Sequence, residues 1–207
     1  MILVFDLDGT IVDSIGIILK NFQLSFQYAQ EKYPGDDKIR PEIGRGVKEI
    51  FSKFFPPEKI TLAEKFFIEN GNKIYLNSVQ IFPEVFQILS NLKNKNYKLA
   101  IATSKLRKLA MPILEKFNID HFFEIIIGSE DVKNCKPSPE PLEKIANFFN
   151  AKKSEIIFIG DSKIDGMSAK NAGITFFGVA TGAEKFSELE KYGETFPSLK
   201  TLVQAKF

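Results

Sequence analysis

Apolar and polar positions along the chain follow two rhythms. Five short apolar runs, Met1–Phe5, Lys98–Ala102, Glu124–Ile127, Ile156–Ile159 and Ile174–Val179, read as buried strands. Apolar residues at helical spacing separate the later ones. Val85, Ile88, Leu89 and Leu92 form one stripe, and a second helix is expected over Lys105–Phe117. Ser138 and Pro139 open a third, carrying Leu142, Ile145, Ala146 and Phe149. A fourth runs from Ile164 to Ala172 and stops at Gly173, a natural position for left-handed backbone.

Residues 14–80 break this alternation. Asp13 and Ser14 are helix N-cap candidates, followed by Ile15, Ile18, Leu19, Phe22, Phe26 and Ala29. A second amphipathic stretch runs through Ile43, Val47, Ile50, Phe51 and Phe54 and stops at Pro56 and Pro57. A third starts at a capping box from Thr61 to Glu64 and continues through Phe67, Ile68 and Tyr75. The pattern predicts an α/β fold: a Rossmann-like parallel sheet with helices on both faces, formed by 1–13 and 81–207. Residues 14–80 form a helical insertion.

The strand ends carry the candidate chemistry, because ligands of open α/β sheets collect there. Asp6 and Asp8 follow the first strand, and strand alternation puts both carboxylates on one side while Leu7 turns inward. Thr103 ends the second strand, Lys136 lies in the loop NCKPSPEP, and Asp161 and Asp165 follow the fourth in IGDSKIDG. Asp and Gly are ordinary turn residues, so a lone DxD says little. Acids, a hydroxyl and a lysine converging from four strand ends say much more.

DLDGT, a strand-end Thr, KPSPEP and GDSxxDG, in this order, resemble the haloacid dehalogenase superfamily of phosphohydrolases, most closely its phosphoglycolate phosphatase-like branch. The motifs extend from Asp6 to about Gly173. The resemblance implies Mg²⁺ held by Asp6, Asp161 and the backbone carbonyl of Asp8, a set of hard oxygens that suits this ion. It implies Asp6 as nucleophile, Asp8 as general acid and base, and Thr103 and Lys136 as phosphoryl ligands. Asp165 would orient Lys136 or hold a metal-bound water, and Thr10 would have a supporting role. Ser104 stands where many relatives have asparagine, yet is expected at the phosphate. The insertion resembles a mobile cap, from which Arg45, flanked by glycines in IGRGVKE, would reach a second anionic group of the substrate.

Composition narrows the alternatives. With 207 residues and 44% hydrophobic content the chain can bury a full core, and its single Cys135 excludes an internal disulfide framework. Cys135 reads as a small filler in a tight loop and His121, the only histidine, as a surface residue. A net charge of +2 without blocks of one sign argues against nucleic-acid and membrane partners. The expected protein is a cytoplasmic monomer acting on a small phosphorylated metabolite. An aspartate at position 8 favours phosphate esters over carbon–halogen bonds. A β-phosphoglucomutase-like mutase is disfavoured by the lack of histidine near Ser14–Lys20, and a receiver-like phosphoryl carrier would need neither Asp8 nor a cap.

Overall fold

The computed structural model describes the backbone of residues 1–207 and the side chains of all but residues 72, 73, 75 and 76. Tyr75, expected on the third helical stripe, therefore lies outside the described residues. The chain begins with β1 (Ile2–Phe5), a tight turn and the short strand β2 (Val12–Asp13). Four helices follow: α1 (Ile15–Tyr28), α2 (Asp36–Ile39), α3 (Val47–Ser52) and α4 (Pro57–Ser78). The chain returns through β3 (Gln80–Ile81), which pairs antiparallel with β2, so exit and re-entry lie side by side.

Strict alternation then sets in, as α5 (Val85–Asn94), β4 (Lys98–Ala102), α6 (Arg107–Lys116), β5 (Ile125–Ile127), α7 (Glu140–Phe149), β6 (Ile156–Gly160), α8 (Lys163–Ala172) and β7 (Thr175–Val179). The chain closes with α9 (Phe186–Leu189), β8 (Glu194–Phe196) and α10 (Leu199–Lys206). The sheet is parallel, in the order β5-β4-β1-β6-β7-β8. Every residue of β1 is buried because the sheet is covered twice. Leu3 and Phe5 join the apolar cluster on one face, Ile2 and Val4 that on the other. The first cluster extends into α1, α3 and α4, where Phe22, Phe26, Phe51 and Phe67, with Phe55 from the turn between α3 and α4, pack edge-on or tilted with ring centroids 4.4–6.1 Å apart.

Several local expectations need correction. The stretch 43–54 is helical only over α3, because Gly44 adopts φ +105° and separates Ile43 from the helix. Helix α4 begins at Pro57, ahead of Thr61, so the Thr61–Glu64 pair lies inside it and caps nothing; proline suits a first turn, where its missing N–H is no loss. Ser14 occupies the N-cap position of α1 but makes no cap hydrogen bond. The pair β2–β3 and the edge strand β8 carry no legible apolar run: β8 is Glu-Thr-Phe with only Phe196 buried.

Candidate active site

Asp6 emerges at the carboxyl end of β1, nearly fully buried, with its amide donating to the Ile159 carbonyl at 2.8 Å. The chain then folds back sharply, the Ile11 and Val12 amides both donating to the Leu7 carbonyl at 3.0 Å. Gly9 makes this possible: its φ is +83°, and a Cβ there would overlap the Asp161 carboxylate. The turn presents Asp8, where Ser14 Oγ donates to Oδ1 at 2.7 Å and Lys105 Nζ lies 3.2 Å from Oδ2. The Ser14 hydroxyl thus serves the acid and not the helix.

From the neighbouring strands come the other groups. Thr103, after β4, is buried, and its Oγ1 accepts from the Lys105 amide at 3.1 Å, closing a tight turn. Ser104 Oγ donates to the carbonyl of Gly44 in the helical insertion, which ties the turn after β4 to the loop before α3. The loop carrying Lys136 is held by Glu140, whose carboxylate accepts from the amides of Lys133 and Asn134 at 2.8 and 2.9 Å. Lys136 is buried, with Nζ 2.9 Å from Asp6 Oδ1 and 2.6 Å from Asp165 Oδ1. Asp165 lies in the first turn of α8, where its Oδ2 accepts from Ser162 N and Oγ while Ser162 Oγ caps the Asp165 amide.

Asp161 follows β6 and, among the described residues, has no lysine or arginine paired with it. Its Oδ1 accepts from Thr10 Oγ1 at 3.0 Å and its Oδ2 from the Ala183 amide at 2.7 Å. Carboxylate oxygens of Asp6, Asp161 and Asp165 lie within 4.8 Å of one another, all buried. Burial, reinforced by Asp165 and Asp6, pushes the Asp161 carboxyl well above its ordinary value. Burial also pushes Asp6 up to about 7, although Lys136 pulls against it. For Lys136 burial opposes the charge, but Asp165 and Asp6 outweigh it and hold the ammonium above its ordinary value. Among the described residues, three buried acids face one buried lysine, which leaves a deficit of positive charge. A hard divalent cation fits that donor set, with Asp6 and Asp161 the better-placed carboxylates: Asp161 is met by the neutral donors Thr10 and Ala183, and Lys136 lies closer to Asp165, at 2.6 Å, than to Asp6, at 2.9 Å.

A cavity of about 270 Å³ opens over these groups, lined by Asp6, Asp8, Thr103, Ser104 and Asp161 from the sheet and by side chains of α1, α3 and α4. Arg45 lines it too, but its Nε lies 3.0 Å from Glu42 and its NH1 2.5 Å from Glu49. The guanidinium expected to meet a substrate anion is thus engaged within the insertion. His121 is exposed, its ring against Phe122, and does not line the cavity. Cys135 does line it, half-buried, with burial raising its thiol pKa.

Residues 3–179 match the sequence profile of the haloacid dehalogenase-like hydrolases. The chain belongs to this family. Among similar curated proteins, the pyrophosphatase PpaX of Halalkalibacterium halodurans is 36% identical over 171 residues, covering 82% of this chain and 79% of that one. PpaX of Listeria monocytogenes is 31% identical over 195 residues, covering 94% and 89%. A haloacid dehalogenase-like protein of Bacteroides fragilis superposes with a TM-score of 0.91 at 28% identity, over 97% of this chain and 98% of its own. Among the described residues, no helix is long and apolar enough to cross a membrane.

For this hydrolase, sequence reasoning missed four contributors. Lys105, two residues after Thr103, meets Asp8; Ser14 holds the other Asp8 oxygen; and Ser162 positions Asp165. The loop after β7 is the fourth: Thr181 Oγ1 donates to the Gly9 carbonyl at 2.6 Å, Gly182 leaves no room for a Cβ beside Asp161, and Ala183 donates to it. Its signal was its place after the carboxyl end of a strand. It contains no acid, lysine or histidine before Glu184 to mark it.

Proposed function

We propose that this hydrolase is a Mg²⁺-dependent phosphatase that acts on a small phosphate monoester through an aspartyl-phosphate on Asp6. The observation that carries this reading is the buried Asp6–Lys136–Asp165 chain beside Asp161, which opens into a cavity that Asp8 also lines. Asp6 and Asp161 would hold the Mg²⁺, which when bound offsets the mutual repulsion of carboxylate and phosphate. A carboxylate oxygen of Asp6 attacks phosphorus while the bond to the ester oxygen breaks, and Asp8 gives its proton to the departing alkoxide. Water then attacks the phosphorus, loses its proton to Asp8, and the P–O bond to Asp6 breaks, releasing phosphate and the free carboxylate.

Lys136 is already anchored by Asp165, so its charge is in place before the transferring group becomes most negative. Thr103, at its tight turn, would bind a phosphoryl oxygen. Thr10 and Ala183 fix the Asp161 carboxylate. Residues 1–13 and 81–207 would form the catalytic core and 14–80 a cap swinging on the β2–β3 pair. In the arrangement seen, Ser104 holds Gly44 of the cap, which keeps it over the site.

The name of the PpaX relatives supports a second reading, pyrophosphate as the substrate. Steady-state turnover of p-nitrophenyl phosphate and pyrophosphate with and without Mg²⁺ tests both. Asp6→Asn should abolish turnover, and Asp8→Asn should reduce it by about 10²- to 10⁴-fold. Substantial Mg²⁺-dependent activity of the Asp6 variant removes the nucleophile assignment.

A further inference from the structure

The cavity has two unlike ends. Its polar end holds the acids, Thr103 and Lys105. Away from them the walls are Ile18 of α1, Ile50 of α3, Phe67 and Ile68 of α4, and Leu109 and Ile113 of α6. Among the described residues, most polar groups in this region are already committed or carry the wrong charge for an anion. Arg45 is held by Glu42 and Glu49; Asn21 donates to the Phe67 carbonyl at 2.8 Å and accepts from Asn70 at 2.9 Å; and Glu64 adds a negative charge. Lys105 is drawn to Asp8, and Lys48, which also lines the cavity, is solvent-exposed, so its charge stays hydrated.

Among the described residues, a second phosphate or carboxylate deep in this chamber would lose its hydration without gaining a buried cationic partner. An alkyl or aryl group would instead leave water for a ready apolar surface. We propose that the substrate is the phosphate monoester of an alcohol bearing a compact, uncharged, largely apolar group, seated between α1, α3, α4 and α6. This specificity rests on the phosphatase reading above. A volume of about 270 Å³ lies at the small end of ligand pockets, which suits a compact group beside the phosphoryl head.

Binding of non-hydrolysable phosphonates to the Mg²⁺-loaded protein, followed by calorimetry, tests the assignment without turnover. From methyl- through ethyl- and propyl- to butylphosphonate, Kd should fall about fourfold per methylene, since burying each is worth about 0.8 kcal/mol, with a negative heat-capacity change. Carboxyethylphosphonate and methylenediphosphonate should bind more weakly than propylphosphonate. Leu109→Asn, on the half-buried face of α6, should flatten the series while far-UV dichroism reports an unchanged fold. A flat series in the wild type, tighter binding of either doubly anionic ligand, or a slope that survives Leu109→Asn overturns the proposal. If the series holds but no phosphate ester is hydrolysed, the apolar chamber stands and the phosphatase reading fails.

Discussion

Replacing Asp6 by Asn should make the metal-free protein more stable, and by an amount that grows with pH. Asp6 ionises in the unfolded chain near 3.8 but in the folded protein only at about 7, burial being the chief cause. Between those values the folded state keeps a proton that the unfolded chain has released. Stability is therefore lost as pH rises through this window, at no more than about 1.4 kcal/mol per unit. Roughly three units amount to about 4 kcal/mol at and above pH 8. Asn has the shape of the protonated acid, and its Oδ1 can still accept from Lys136, so the variant avoids this term.

Urea unfolding in EDTA from pH 4 to 8 measures the gap. Far-UV dichroism is the appropriate signal, as the chain has no tryptophan. The two proteins should be nearly equal at pH 4, with the variant ahead by about 1–4 kcal/mol at pH 8, or several degrees in Tm. Millimolar Mg²⁺ should then raise the wild type alone, by about 2.7 kcal/mol at a hundred times its Kd. A gap independent of pH, or a wild type that gains on the variant as pH rises, refutes the claim that this site stores unfavourable charge.

Other consequences concern single contacts. Lys105→Met removes the ammonium 3.2 Å from Asp8 and should lower kcat/KM about tenfold to a hundredfold, the worth of a charged hydrogen bond; a near-normal value would detach Lys105 from the chemistry. Gly182→Ala places a methyl against the Asp161 carboxylate and should cost about 1–3 kcal/mol of stability, read by thermal melting, and weaken Mg²⁺-induced stabilisation. Cys135, its thiol pKa raised by burial, should react with iodoacetamide at pH 8 more slowly than glutathione does and catch up as pH rises; equal rates at pH 8 would show the thiol to be open.

The α/β alternation was legible because a doubly covered strand must be apolar along its buried length, and β1, β6 and most of β4 and β7 are short runs of that kind. The carboxyl-end positions of Asp6, Thr103 and Asp161 follow from where those runs stop, so the sequence by itself determined which strand ends meet. It could not supply β8, whose Glu-Thr-Phe is held by pairing with β7 and not by its own pattern. Nor could it supply what each acid touches. Spacing brings Ser14 near Asp8, but only the turn through Gly9 decides that its hydroxyl leaves the helix for the carboxylate.

Arg45 shows the same division. Its glycine-flanked setting was visible in the sequence, but whether a flexible guanidinium faces substrate or neighbours is a competition among nearby anions. Glu42 and Glu49, three and four residues away on either side, meet it in the folded chain. Lys105 meets Asp8 across 97 residues of chain, Thr181 meets the Gly9 carbonyl across 172 and Ala183 meets Asp161 across 22, separations that no local pattern encodes. Local periodicity records how each segment buries its own apolar face. The partners of a buried charge are chosen by the tertiary packing that strips away its water, and only there does a missing partner become costly.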